Sequence, residues 1–164
     1  MAENITTVGA EFLIKVLITE EATKPTNTTI GLFDNQTEST SLYTVDSGDV
    51  TITESTDVGD ITTEPSDGNY ARLSYAFGTT DFSSTTNANG NWQANFSEKT
   101  FDVANTTGYA DSYFEVVSFT AGGESSANDH LLTFGPLLDS QGNQMRIDLG
   151  SATSFDFSGS LIVP

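Results

Sequence analysis

From Asp67 to Gly78 the chain reads Asp-Gly-Asn-Tyr-Ala-Arg-Leu-Ser-Tyr-Ala-Phe-Gly: a turn, a two-residue alternation and a glycine stop. Asp-Gly-Asn tolerates positive φ, and Ala71, Leu73, Tyr75 and Phe77 then share one face while Arg72, Ser74 and Ala76 share the other. A face bearing Leu, Tyr and Phe has to be covered, so this strand predicts a second layer around it. The helical signal is confined to residues 6–21, where Phe12, Leu13, Val16 and Leu17 follow i, i+1, i+4, i+5. Propensity pulls the other way at its end, because the β-branched residues Val16, Ile18 and Thr19 also suit a strand.

From residue 28 onward the pattern is of short strands between turns. The first covers 28–33. Residues 36–67 are rich in Thr, Ser, Asp and Glu with few apolar positions, and read as an exposed acidic excursion with one or two edge strands. Residues 79–90 read as a polar loop, apart from Phe82. Trp92, Ala94 and Phe96 alternate, and Phe101 with Val103 makes a short piece. Residues 113–119 are dense in β-formers and read as a central strand, and 131–138 as a strand interrupted at Gly135-Pro136. Phe155, Phe157, Gly159, Leu161 and Val163 alternate to the end. Eight to ten strands at this spacing predict an all-β protein, a jelly-roll-type β-sandwich with one N-terminal helix, as a single domain over residues 1–164.

Composition changes this picture in one respect. Asp and Glu number 23 against five Lys and Arg, a formal net charge of −18, while eleven Phe, five Tyr and one Trp supply a real core. The five cations Lys15, Lys24, Arg72, Lys99 and Arg146 are scattered, so no basic patch exists for nucleic acid or for an anionic membrane surface. In ~1 M salt the Debye length falls to about 3 Å and most of the self-repulsion disappears, so the chain reads as adapted to concentrated salt. No cysteine is present, which removes disulfides and thiolate metal sites. No signal peptide is expected, and the longest apolar run, 12–18, is broken by Lys15 and is too short for a membrane span.

Candidate chemistry is sparse. The one histidine, His130, follows a polar loop, and no glycine-flanked serine elbow accompanies it, so a solvated histidine is expected. The carboxylate pairs Asp46/Asp49, Asp57/Asp60 and Glu64/Asp67 sit in polar stretches with nothing to set one pKa apart from the other. Asp57, Asp60, Glu64 and Asp67 match no calcium-loop spacing. No catalytic residue, cofactor or metal ligand is assigned. Trp92 reads as core, with the hot spot of an interface as the alternative, and Arg72 as a mid-strand charge that pairs with a carboxylate or meets a partner chain. The amphipathic N-terminal helix either closes its own core or packs between subunits.

Gly68-Asn69-Tyr70-Ala71-Arg72, Leu132-Thr133-Phe134-Gly135-Pro136-Leu137 and the closing strand with Phe157, Gly159, Leu161 and Val163 resemble a family of small structural proteins of tailed viruses. The order of the motifs agrees from Val8 to Val163. The chain departs at Thr107-Gly108-Tyr109, where the family often has Trp-Gly, and in the longer acidic insertion over 36–63. Together with the acidic surface, the resemblance implies a non-enzymatic virion protein of a haloarchaeal tailed virus. It would be made in the host cytoplasm and carried on the capsid exterior, as a tower- or turret-type decoration protein on the major capsid protein lattice. A tail fibre or baseplate component is the alternative, and a cell-surface or carbohydrate-binding module a second. The implied partners are the major capsid protein and further copies of the chain, as a trimer or pentamer, with Phe12, Val16 and Arg72 as interface residues. Residues 36–64 are a candidate host contact.

Overall fold

The computed structural model describes residues 4–5, 7–35, 56–86, 90, 92–121 and 123–163. β1 (Asn4–Ile5) precedes helix α1 (Thr7–Phe12), which widens into a π-helical turn over Leu13–Ile18. The strands that follow are β2 (Asn27–Phe33), β3 (Leu73–Ala76), β4 (Phe82–Thr86), β5 (Trp92–Phe96), β6 (Lys99–Asp102), β7 (Tyr109–Ala110) and β8 (Ser112–Phe119). They continue with β9 (Asn128–Pro136), β10 (Ile147–Asp148), β11 (Ser154–Phe157) and β12 (Ser160–Val163). The protein is therefore all-β with one short N-terminal helix.

Five strands form an antiparallel sheet in the order β1-β9-β8-β2-β3. The expected central strand, β8, is central: its residues are buried throughout except Ser118, because both its edges are paired and both its faces are covered. The alternating strand after Gly68 forms β3, but at the edge of this sheet, paired only with β2.

On one face of the sheet Ile30, Leu32, Tyr75 and Tyr113 meet Phe96, Phe101, Leu149 and Phe157 in the main core. These partners come from a covering layer of three smaller groups, β12-β5-β4, β11-β6 and β10-β7. On the opposite face Phe33, Phe114, Val116, Leu131 and Phe134 pack with Ile61 and Val58. A third cluster joins Phe12 and Val16 of the helical segment to Val117, Phe119 and Leu132. Leu132 belongs to it because of a bulge: Glu115 pairs with Thr133 and Val116 with Leu131, which leaves Leu132 as the extra residue.

Several elements differ from the sequence expectation. The helix covers less than 6–21. Its π turn is held by Thr19 N–H donating to the Ile14 carbonyl at 2.8 Å, five residues back, and Glu20 at φ 56° ends it. Within the polar stretch 79–90, residues 82–86 form β4, whose Ser and Thr side chains stay exposed while the backbone pairs with β5. The interruption in β9 lies at Leu132, since Gly135 and Pro136 both remain in the ladder, where a side chain at Gly135 would sit 3.1 Å from the Tyr113 ring. The closing alternation splits: β11 pairs with β6 and β12 with β5, the chain changing groups at Gly159, whose carbonyl accepts from Phe96 N–H at 2.9 Å. Of the acidic excursion 36–67, residues 36–55 lie outside the described residues. The remainder carries no strand and is not wholly exposed, because its 3-10 turn (Val58–Asp60) and Ile61 cover the back of the main sheet.

Candidate functional site

The helical segment has two apolar faces. Phe12 and Val16 are 6% and 5% exposed and face the chain's own sheet. Ile14, Leu17 and Ile18 are 53%, 53% and 72% exposed and form a ridge on the outside. Lys15 lies within this ridge and pairs with Glu11 one turn back at 2.5 Å. Phe12 and Val16 thus complete the fold, while Leu17, which the helical periodicity grouped with them, stands outside with Ile14 and Ile18, which it did not single out. The hint was already in the sequence: residues 12–18 carry more apolar positions than one helical face can bury.

Arg72 lies under the opposite face, 5.0 Å above the Phe114 ring. Its Nε and Nη2 donate to Glu64 Oε1 and Oε2 at 2.8 and 2.7 Å, a two-point pairing, and Asp129 stands 3.8 Å from Nη1. Hydrogen bonding to Glu64 raises the Arg72 pKa further above its ordinary value. Tyr70 donates to the same Glu64 at 2.9 Å and accepts the Leu32 N–H at 2.8 Å, at a point where β2 has run past its pairing with β3. Burial is the largest cause of the upward shift of its phenol pKa. Asn69 N–H donates to Ala104 O at 2.9 Å, and the Asp67 carboxylate accepts from Thr107 N–H and hydroxyl at 3.0 and 2.6 Å. Residues 67–72 therefore tie together the turn after β6, the open end of β2 and the back of β8.

The acidic candidates are each engaged separately. Asp57 and Asp60 form the reciprocal cap of the 3-10 turn, Glu64 serves Arg72, and Asp67 serves Thr107. Asp46 and Asp49 lie outside the described residues. Among the described residues no group of three or more His, Cys, Asp or Glu could hold a metal ion. His130 is buried at 6% exposure, its ring tilted against that of Phe119 at 4.7 Å, with Nε2 3.1 Å from Phe119 O and 3.3 Å from Glu124. It is a core histidine, where a solvated one was expected. The Trp92 side chain falls outside the described residues.

A cavity of about 380 Å³ lies between the helical segment and β4–β5. Phe12, Leu13, Phe77, Phe82, Phe96 and Leu132 wall it. Glu115, 2% exposed on the central strand, is among its lining residues, as are the exposed Leu17, Thr79 and Ser84. Lys24 stands there too, and is the one cation of the five without an ion pair among the described residues. The sequence signal for this site was Glu115 itself, a single charge inside Tyr-Phe-Glu-Val-Val.

Among the described residues no helix is long and apolar enough to cross a membrane. Compared with protein-family models, with curated proteins and with solved structures, the chain matches none.

Proposed function

We propose that this chain is a non-enzymatic structural protein that self-associates through the outer ridge of its helical segment and decorates a larger protein lattice. The observation that carries the reading is the ridge. Ile14, Leu17 and Ile18 stand more than half exposed on a segment whose inner face is already satisfied. Three adjacent aliphatic side chains kept in water are unfavourable by about 25 cal/mol per Å², an amount a docked surface recovers. The resemblance of the Gly68–Arg72 and Leu132–Leu137 segments to small structural proteins of tailed viruses supports a virion lattice, of which a capsid shell suits a compact domain without fibrous repeats, and the net charge of −18 supports a setting in concentrated salt. A jelly-roll-type sandwich is the finer form of the fold under this reading. It is supported by non-sequential neighbours in the five-stranded sheet and by a covering layer drawn from later strands.

Retention on the particle is multivalent. Each copy holds weakly, and closed oligomers on a repeating lattice raise the effective concentration of every further contact. The test is the copy number per purified particle, measured by quantitative mass spectrometry. Hundreds of copies are expected for a decoration protein; a dozen or fewer would move the chain to the tail, and none would overturn the assignment.

A further inference from the structure

We propose that the outer edge of β4 is a docking site for a second copy of this chain, the two β4 strands pairing antiparallel about a two-fold axis at Ser84. β4 ends the group β12-β5-β4, and among the described residues it pairs with β5 alone. The start of that ladder fixes its phase. Phe82 N–H donates to Gly78 O at 3.3 Å and Phe96 N–H to Gly159 O at 2.9 Å, so the opposed residues Phe82 and Phe96 direct both N–H groups away from each other. Antiparallel pairs alternate, which gives the main-chain groups of Ser83 and Thr85 to β5 and turns those of Ser84 and Thr86 outward. Residues 83–86 are exposed, so an incoming strand reaches them.

The edge fits its own copy. With the two Ser84 residues opposite each other, each Ser84 N–H donates to the other's carbonyl, and each Thr86 N–H donates to the Phe82 carbonyl across the axis. The groups left facing each other in this register are already engaged, Phe82 N–H by Gly78 O and the Thr86 carbonyl by the Thr85 hydroxyl at 3.5 Å. Charge permits the approach. Residues 82–97 are the longest run of the sequence without Asp, Glu, Lys or Arg, in a chain of net charge −18 whose copies otherwise repel. The edge of β3 is the contrast, closed by its own chain: Lys99 Nζ donates to Ser74 O at 2.5 Å, Ala76 N–H donates to Asp81 at 2.6 Å, and Lys99 pairs with Asp81 at 2.9 Å. Charges on an edge keep other strands off it, and β4 carries none. One such pairing buries little apolar surface, so single chains stay apart in dilute solution. Under the lattice reading, oligomers seated side by side hold these edges at a raised effective concentration, and there the pairing links neighbours.

The test is disulfide capture, since the chain has no cysteine to compete with an introduced one. Ser83→Cys, Ser84→Cys and Thr85→Cys are made singly in the full chain, with the helical ridge intact and with Ile14 and Ile18 replaced by Ser, and oxidised at high protein concentration in molar NaCl. Opposed residues of a hydrogen-bonded antiparallel pair have Cα atoms about 5.5 Å apart, within disulfide reach, whereas residue 83 meets its own copy only on the diagonal, at about 7–8 Å. Ser84→Cys is therefore expected to cross-link at least tenfold faster than Ser83→Cys or Thr85→Cys alone, and a mixture of those two to give the heterodimer. The same order is expected without the ridge, which separates this contact from association through the helix. Thr86→Pro removes an outward N–H that β5 does not use, and is expected to slow capture by Ser84→Cys at least tenfold with the melting temperature kept. If Thr86→Pro does not fold, the comparison of the three positions decides alone. Equal rates at the three positions, loss of the order with the ridge, or full capture in folded Thr86→Pro would overturn the proposal.

Discussion

Gly68 sits at φ +62°, and a Cβ built on it would lie 2.4 Å from the backbone of Asn105 and Thr106. Two penalties coincide there, the left-handed conformation and a collision with main chain that cannot turn aside. Gly142 shares only the first, with φ +82° and open space around it. Gly68→Ala is therefore expected to destabilise by about 3 kcal/mol or more and Gly142→Ala by about 1, read from chemical denaturation. Tyr75 makes the opposite case. It is fully buried, its hydroxyl has no hydrogen-bond partner among the described residues, and burial pushes its pKa up to about 12. Tyr75→Phe removes that hydroxyl without opening a cavity, so a gain of about 1 kcal/mol is expected. In the Gly-Asn-Tyr-Ala-Arg motif the strand begins only at Leu73, so Arg72 precedes it instead of lying mid-strand, and only the turn was legible. Its wider role was not, because Tyr70 and Arg72 act through Leu32, Glu64 and Phe114, contacts that local periodicity does not encode.

At the scale of elements, the strands paired on both edges were the easiest to read: β2, β8 and β9 each hold a buried stretch rich in apolar and β-branched residues because both sheet faces are covered. β4 escaped, since its Ser and Thr side chains face solvent and its stability lies in backbone pairing with β5, which leaves no hydrophobic trace. The helix was placed correctly and extended too far. Past Ile18 its residues are exposed, and Glu20 adopts positive φ. The two faces of that segment separate stability from association. Val16→Ala removes buried methyl groups packed near Leu132 and Val117 and is expected to destabilise by about 1.5–3 kcal/mol. Paired substitution of Ile14 and Ile18 by Ser is expected to leave the melting temperature within a degree or two of that of the wild-type chain diluted below its association range, because in the single chain both side chains are more than half in water.

For the whole molecule, charge outweighs every other property, and its two consequences have opposite signs on acidification. Hydrogen bonds hold Asp67, Asp81, Asp102, Glu124 and Asp139 below their ordinary pKa values, from Thr107, Ala76, Ala104, Ala121 and Asn143 respectively. Each binds its proton more weakly folded than unfolded, so its contribution is complete above about pH 4 and is lost as pH falls through the lowered folded value. Asp111 runs the other way. Burial raises its pKa, so its contribution is full in acid and declines as pH climbs through the raised value. Proton uptake also relieves repulsion among the −18 charges, an effect that molar salt has already removed. The melting temperature in molar NaCl is accordingly expected to fall as pH drops below about 4, and at pH 7 to rise steeply from low to molar salt. A curve flat in salt would contradict the acidic-surface account.

The same screening decides whether copies of so acidic a chain can meet, and sedimentation equilibrium at pH 7 in molar NaCl measures it directly. The wild-type chain is expected to sediment as a closed oligomer of three or five copies, and the chain with Ile14 and Ile18 replaced by Ser as a monomer of 17.5 kDa. A wild-type monomer at every concentration, or an oligomer indifferent to the loss of the ridge, would contradict the account.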